Sequence, residues 1–399
     1  MERLDGVLRP YPWGSRTLLA QLRGTPAPSE QPEAELWFGA HPAAPATIDG
    51  KGLDEIIADD PASALGRRVV DEHGEGLPFL VKLLAADAPL SIQAHPSAEQ
   101  AKEGFARENA EGIDLHSPKR NYKDPNPKPE LIVALTTFRA MAGFRPVEQL
   151  AQLFEAFSSP ELDRYAALLP ATGGAGDLRV LFTTLVSLPK TALTGLLAAV
   201  EASSGEIASA DDQPAWVREA AEVFLELSER YPGDAGALAA LLLNIVTLAP
   251  GEGAFLGAGQ LHAYLSGLGV EVMANSDNVL RGGLTTKHVD VPELVRVLDF
   301  SSLESPRART TSLDGGTRFD LPVESFRVSV HELAEEECVV DEDGPAIVVC
   351  TAGAVLADDT TRTTEFSAGE AIWIPASDAA VTLRAADAGQ GAQVFVATV

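Results

Sequence analysis

Cysteine is nearly missing from this chain: Cys338 and Cys350 are the 2 in 399 residues. Two thiols cannot build the disulfide framework of a secreted scaffold. Both sit in apolar, strand-like text, so buried reduced thiols are expected. Basic residues are scarce as well, with 30 Lys and Arg against 58 Asp and Glu and a net charge of −28. Such a polyanion does not suit general nucleic-acid binding, which depends on Lys and Arg neutralising phosphates, nor an anionic membrane surface. Long hydrophobic runs are also lacking. The most apolar stretch, Ala235–Ala249, carries Asn244 and falls short of the roughly 20 residues of a membrane span. Residues 1–15 hold no apolar segment of the signal-peptide kind, so a cytoplasmic protein is expected. What is present is globular text, 45% hydrophobic and long enough for two or three domains with full cores. Any anionic ligand needs a local basic pocket within the acidic field.

Residues 1–146 read mostly as strands and turns. Pro-rich loops at 25–32, 41–45 and 124–129 separate apolar runs such as Pro78–Ala86 and Leu131–Phe138. From 147 to 247 the period becomes helical. Trp216, Ala220, Val223, Phe224 and Leu227 share one helix face behind Pro214, and Ser159-Pro160-Glu161 is a helix start. Leu150–Phe157, Leu178–Leu188 and Ala192–Val200 are further helices, together a block inserted into a β-rich protein. Past Pro250 short β-branched runs return at 326–330, 346–350, 371–374 and 393–399. Gly251–Ala258 lies over Gly369–Ala376 without a gap, each a Gly-Glu turn, an apolar strand and a small-residue turn. With the strand spacing, this overlay suggests two jelly rolls. Carried forward, it sets Ala380 opposite His262, so a ligand position in the first roll is empty in the second.

Four segments could carry chemistry. In Ser91-Ile-Gln-Ala-His95, alternation along a strand projects Ser91, Gln93 and His95 to one side, and an exposed face with an incidental imidazole is the competing reading. Lys119 to Glu130 holds Lys119, Arg120, Lys123 and Lys128, a basic cluster suited to a phosphate. There Lys128 and Glu130 flank Pro129, so an extended backbone aims both the same way; a solvated loop is the alternative. His262 and Tyr264 share a face, as a core pair or as a site. Glu271 and Met273 alternate on a strand, followed by the turn Ser276-Asp277-Asn278 and by Arg281 before two glycines.

Several strings resemble the type I mannose-6-phosphate isomerase (phosphomannose isomerase) family. They are Tyr11-Pro-Trp-Gly14, Glu35-Leu-Trp37, Ser91-Ile-Gln-Ala-His-Pro96, Lys128-Pro-Glu130, His262-Ala-Tyr264, Ser276-Asp-Asn-Val-Leu-Arg281 and Gly283-Leu-Thr-Thr-Lys-His288, in family order. The resemblance implies a mainly β fold of two cupin-type jelly rolls with an inserted helical domain. The ranges expected are 1–146 and 248–315 for the catalytic cupin, 147–247 for the insertion, and 316–399 for a C-terminal roll without metal. It implies one zinc held by Gln93, His95, Glu130 and His262; two imidazoles, a carboxylate and an amide without thiolate also favour zinc among first-row ions.

The reaction implied is interconversion of mannose 6-phosphate and fructose 6-phosphate through an enediol. Arg281, permanently charged, suits the enediolate. Glu271, Asp277 and Lys128 are the candidate bases, and Lys128, Lys82, Lys287 and Ser91 the phosphate candidates. Tyr264 and Trp13 are further substrate-binding candidates. The expected partner is a small sugar phosphate, acted on by a monomer. Two departures show: Pro127 stands where the family usually has His, and Thr286 where it usually has Pro. Another metal cupin, an epimerase or oxygenase, and a non-catalytic sugar-phosphate-binding cupin are the competing classes.

Overall fold

The longest strand, His262–Ala274, pairs antiparallel with four others: Phe79–Ala86, Ile92–Ala94, Glu130–Ala134 and Phe138–Phe144. It can serve four partners because it bends. Its register with Phe138–Phe144 slips between Tyr264 and Ser266, and Gly267 just beyond adopts φ +124°. A Cβ on Gly267 would stand 2.8 Å from Phe138 Cα, so the bend requires glycine. In the computed structural model, which describes residues 1–157, 159–169, 174–334 and 336–399, these strands belong to a ten-stranded sheet. The others in it are Val7–Arg9, Glu35–Gly39, Leu243–Leu248, Gly253–Leu256 and Leu280–Gly283.

Phe79–Ala86 reads as a continuous apolar run because both its faces are buried. Phe79, Val81, Leu83 and Ala85 join one core, while Leu80, Lys82 and Leu84 turn to an inner cleft. A second roll combines a seven-stranded and a four-stranded sheet among the described residues. Its core includes Val348, Cys350, Val355, Phe366, Ile372 and Val394. Both cysteines are free and buried, and burial pushes their thiols up to about 11 at Cys338 and about 12 at Cys350. Both halves of the sequence overlay are strands, Gly253–Leu256 and Ala371–Ile374. Some pairings cross the ranges expected from sequence: Glu2–Leu4 joins Ala371–Ile374, and Arg309–Leu313 joins Gly316–Asp320. The first pairing joins partners far apart in the chain that no local pattern encodes, whereas the second is a hairpin closed by Asp314-Gly315 that straddles the expected boundary.

The helical run comprises Val147–Phe157, Pro160–Ala166, Ala175–Val186, Lys190–Ala208, Ala215–Arg230 and Gly236–Leu241. Ser159 caps its helix by accepting from the Leu162 N–H, with Pro160 in the first turn. The apolar helix faces share a core with Ile92, Ala94, Met141, Ala263, Leu265 and Leu280, so the helices pack behind the strands whose other face is the cleft. The N-terminal stretch is less purely β than its sequence suggests. It holds helices Leu18–Leu22, Leu53–Asp59, Pro61–Leu65, Arg67–His73 and Ala98–Ala110. The last is polar and weakly periodic, but a capping box of Ser97 with Gln100 marks its start. No single helix among the described residues is long and apolar enough to cross a membrane.

Candidate active site

Two cross-strand rows build the site. Trp37, Lys82 and Glu271 are direct neighbours across three strands, and Arg281, Gln93 and His262 across two further strands and the same His262–Ala274 strand. Ile92 and Ala94 are buried against the helices while Gln93 faces the cleft, the alternation expected for Ser91–His95. The bend at Gly267 brings His262 and Tyr264 to the same interior as Glu271 and Met273, although seven residues separate Tyr264 from Glu271. The cleft has a volume of about 430 Å3.

At its floor His95, Glu130 and His262 converge, each buried, with one ligand atom apiece within 4.8 Å of the others. His95 Nε2 lies 3.4 Å and His262 Nε2 3.2 Å from Glu130 Oε2. The far nitrogen of each ring is committed to a backbone carbonyl: His95 Nδ1 lies 2.7 Å from the Asn278 oxygen, His262 Nδ1 3.0 Å from that of Gln260. Those bonds fix the tautomer with Nε2 bare and facing inward, the arrangement of metal-binding histidines. The Gln93 amide nitrogen sits 3.3 Å from His262 Nε2, and an amide can offer oxygen or nitrogen along that line. His95 Nε2 and Glu130 Oε2 are buried without a hydrogen-bond partner. Orphaned inward atoms are costly unless something else occupies the space between them. Burial pushes the His95 imidazole down to about 4; burial also works against the Glu130 charge, but the ammonium of Lys128 holds that carboxyl well below the usual carboxylate range. A neutral His95, a second inward imidazole and an ionised carboxylate form a donor set for a divalent cation.

The walls carry the remaining candidates. Lys128 donates to Glu130 at 3.1 Å, as the Pro-spaced geometry predicts. Glu271 is buried and doubly engaged: Lys82 Nζ is 2.7 Å from one oxygen and Tyr264 OH 2.7 Å from the other. Arg281 Nη1 donates to Ser91 Oγ at 2.8 Å. Lys287 lines the cleft near Arg281, whose charge, followed by burial, lowers its ammonium below the ordinary lysine value. Asp277 is half-exposed, with Oδ1 3.3 Å from His41 Nε2, and its bond with His41 holds the carboxyl below the usual range. Trp13 also lines the cleft, stacked on Tyr11 at 5.7 Å.

One expectation needs correction. Of the basic cluster, only Lys128 reaches the cleft. Arg120 is buried against Glu108 and the carbonyls of Ile113 and Tyr122, and Lys123 donates to Leu115 and Ser117 oxygens. These cations staple a long loop rather than bind an anion. Pro127 lines a groove behind the Lys128–Glu130 segment, away from the cleft, whereas Thr286 lines the cleft. Sequence reasoning missed several lining residues. Glu35 and Trp37 alternate on a strand and are joined by Trp37 Nε1 donating to Glu35 at 2.6 Å, a pattern that could have been read. His41 and Tyr231 gave no local signal; Tyr231 arrives from the helical run, anchored on the Pro89 carbonyl at 2.7 Å.

A family model described as phosphomannose isomerase type I, catalytic domain, matches residues 1–147. The mannose-6-phosphate isomerase of Escherichia coli K12 is 38% identical over 96% of this chain and 97% of its own length. The human enzyme of that name is 34% identical over 90% of this chain and 89% of its own. A crystal structure of mannose 6-phosphate isomerase bound with zinc and yttrium superposes with a TM-score of 0.89 at 35% identity, covering 100% of this chain and 99% of that one. An alanine mutant of phosphomannose isomerase from Salmonella typhimurium gives a TM-score of 0.90 at 35% identity with the same coverage.

Proposed function

The chain belongs to the type I mannose-6-phosphate isomerase family, and from that premise we propose that its cleft interconverts mannose 6-phosphate and fructose 6-phosphate through an enediol. The observation that carries this reading is the convergence of His95, Glu130 and His262 on one point, two of their inward atoms buried and unpartnered, beneath a wall of cations. Those residues with Gln93 fit zinc. Bound there, zinc would supply a Lewis acid that holds and polarises the substrate's oxygens.

The rest falls to the protein. Lys287 has no carboxylate partner among the described residues and takes the phosphate, with Ser91 and the cleft's other cations in support. Lys82 and Lys128 are already paired with Glu271 and Glu130, so they set the field more than they anchor an anion. Arg281 donates toward the developing enediolate. Among the bases, Glu271 has both oxygens occupied and Lys128 acts as a donor. Asp277 keeps Oδ2 free of side-chain partners, is ionised, and is steadied by His41. It accepts the C2 proton and returns it at C1. Tyr264 holds Glu271 in place, and Trp13 closes one wall. The catalytic roll is taken as 1–146 with 248–315, the insertion as 147–247, and 316–399 as a roll without metal.

An assay coupling fructose 6-phosphate formation to a colour change tests this directly. Mannose 6-phosphate should turn over, and chelation should abolish the signal. Turnover confined to unphosphorylated sugars, or full activity in metal-free protein, contradicts it.

A further inference from the structure

Asn278 is fully buried and saturates its hydrogen-bonding capacity on a single loop. Its Oδ1 accepts from the backbone N–H of Lys123 at 2.7 Å and of Asp124 at 3.2 Å. Its Nδ2 donates to the Asp124 and Asn126 carbonyls, both at 2.8 Å, and to Asp124 Oδ1 at 3.3 Å. The clasp is reciprocal. Asp124 Oδ1 accepts from Ser276 Oγ at 2.8 Å, and its Oδ2 accepts from the Asp277 N–H at 2.9 Å. The loop held in this way runs two residues on from Asn126 into Lys128 and Glu130. Asn278 meanwhile uses its own carbonyl for something else: that oxygen is the 2.7 Å partner of His95 Nδ1.

We propose that Asn278 is the positioning residue that registers His95 against the Glu130 segment. Its carbonyl aims one imidazole at the floor of the cleft, and its side chain fixes the loop that delivers the carboxylate and Lys128. Among the described residues the two segments do not pair with each other: His95 lies just past the end of Ile92–Ala94, and Glu130 opens a strand paired with Gly253–Leu256 and His262–Ala274. Their shared neighbour His262–Ala274 meets them at His262 and Met273, on either side of its bend. Asp277 is held beside Asn278 through the other half of the clasp, its backbone N–H donating to Asp124 Oδ2, so the base candidate and the metal donors meet on the same loop contact. A side chain is suited to this because a single Asn can accept two backbone N–H groups and donate to two carbonyls at once. The proposal rests on zinc occupying the His95, Glu130 and His262 site.

The test is zinc affinity by competition with a chromophoric chelator, alongside melting of metal-free and zinc-loaded protein. Asn278→Ala keeps the carbonyl that His95 uses but releases the loop that carries Glu130 from it. Losing a hydrogen-bond partner that supports a metal site typically weakens metal about 10–100-fold, and the variant should fall in that range. The rise in Tm on adding zinc should shrink accordingly, because that rise follows the affinity. Unchanged affinity with a lower metal-free Tm would show that Asn278 only supports the fold and would overturn the proposal. Should Asn278→Ala not fold, Ser276→Ala removes one hydroxyl of the clasp. A smaller loss of zinc affinity then supports the proposal, and none overturns it. A parent chain with no zinc affinity would contradict the zinc reading itself, and is recognised before any variant is compared.

Discussion

Arg281 is adjacent to Gln93 in register and donates to Ser91, so its charge sits between the metal donors and the open cleft. A donor that acts on the transition state alone contributes about 10²–10³ in rate. Arg281→Ala should therefore lower kcat by about that factor with little change in KM, in steady-state assays on mannose 6-phosphate. A change confined to KM would make Arg281 a phosphate anchor. Glu35 poses a different question. Burial, outweighing the attraction of Lys82, raises its carboxyl above the ordinary value. An acid raised in this way holds its proton more tightly folded than unfolded, so its ionisation destabilises the fold above the folded pKa, and that loss is recovered as pH falls. Glu35→Gln keeps an acceptor for Trp37 Nε1. It should melt higher than the parent at neutral pH, with the gap closing as pH falls through the raised value; a gap independent of pH contradicts the assignment. At this scale much was legible. Alternation in Ser91–His95 shows which side chains share a face, and Pro129 aligns Lys128 with Glu130. Joining Gln93 to His262 across 169 residues required resemblance, because no local rule links strands that far apart.

Among elements, the strand His262–Ala274 decides the site. A regular strand alternates strictly, and Tyr264 and Glu271 would then face opposite sides. The slip between Tyr264 and Ser266, with Gly267 at φ +124°, reverses the parity and allows Tyr264 OH to reach Glu271 at 2.7 Å. Reading Glu271 with Met273 and His262 with Tyr264 as separate pairs was sound, but nothing local shows that both pairs face one cleft. Gly267→Ala forces a Cβ against Phe138 and a conformation L-residues rarely adopt, which costs about 1–3 kcal/mol. Chemical denaturation should show a loss of that size, and zinc binding should weaken with it. A neutral substitution would mean that the bend is not held by glycine. The helices of 147–241 were legible from their 3.6-residue period, whereas the polar helix Ala98–Ala110 was not, since few of its residues are buried.

For the whole molecule, an acidic chain has to create a site for a phosphate dianion. The cleft does so by local balance. Lys82, Lys128, Arg281 and Lys287 line it opposite Glu35, Glu130, Glu271 and Asp277, so its charges cancel, and a divalent ion leaves two in excess for the substrate. On the overlay of the two rolls, which sets Ala380 opposite His262, we propose that the ion belongs to the first roll. In the second, His331 is bonded to Ser329 at 2.9 Å, and no cluster of metal-binding side chains surrounds it among the described residues. The most direct measurement is a back-titration of chelator-stripped protein with zinc, following mannose 6-phosphate isomerase activity. The account predicts a linear rise that breaks at one zinc per chain and is absent in His262→Ala. Activity already complete before zinc is added, or a break that persists in His262→Ala, would contradict it.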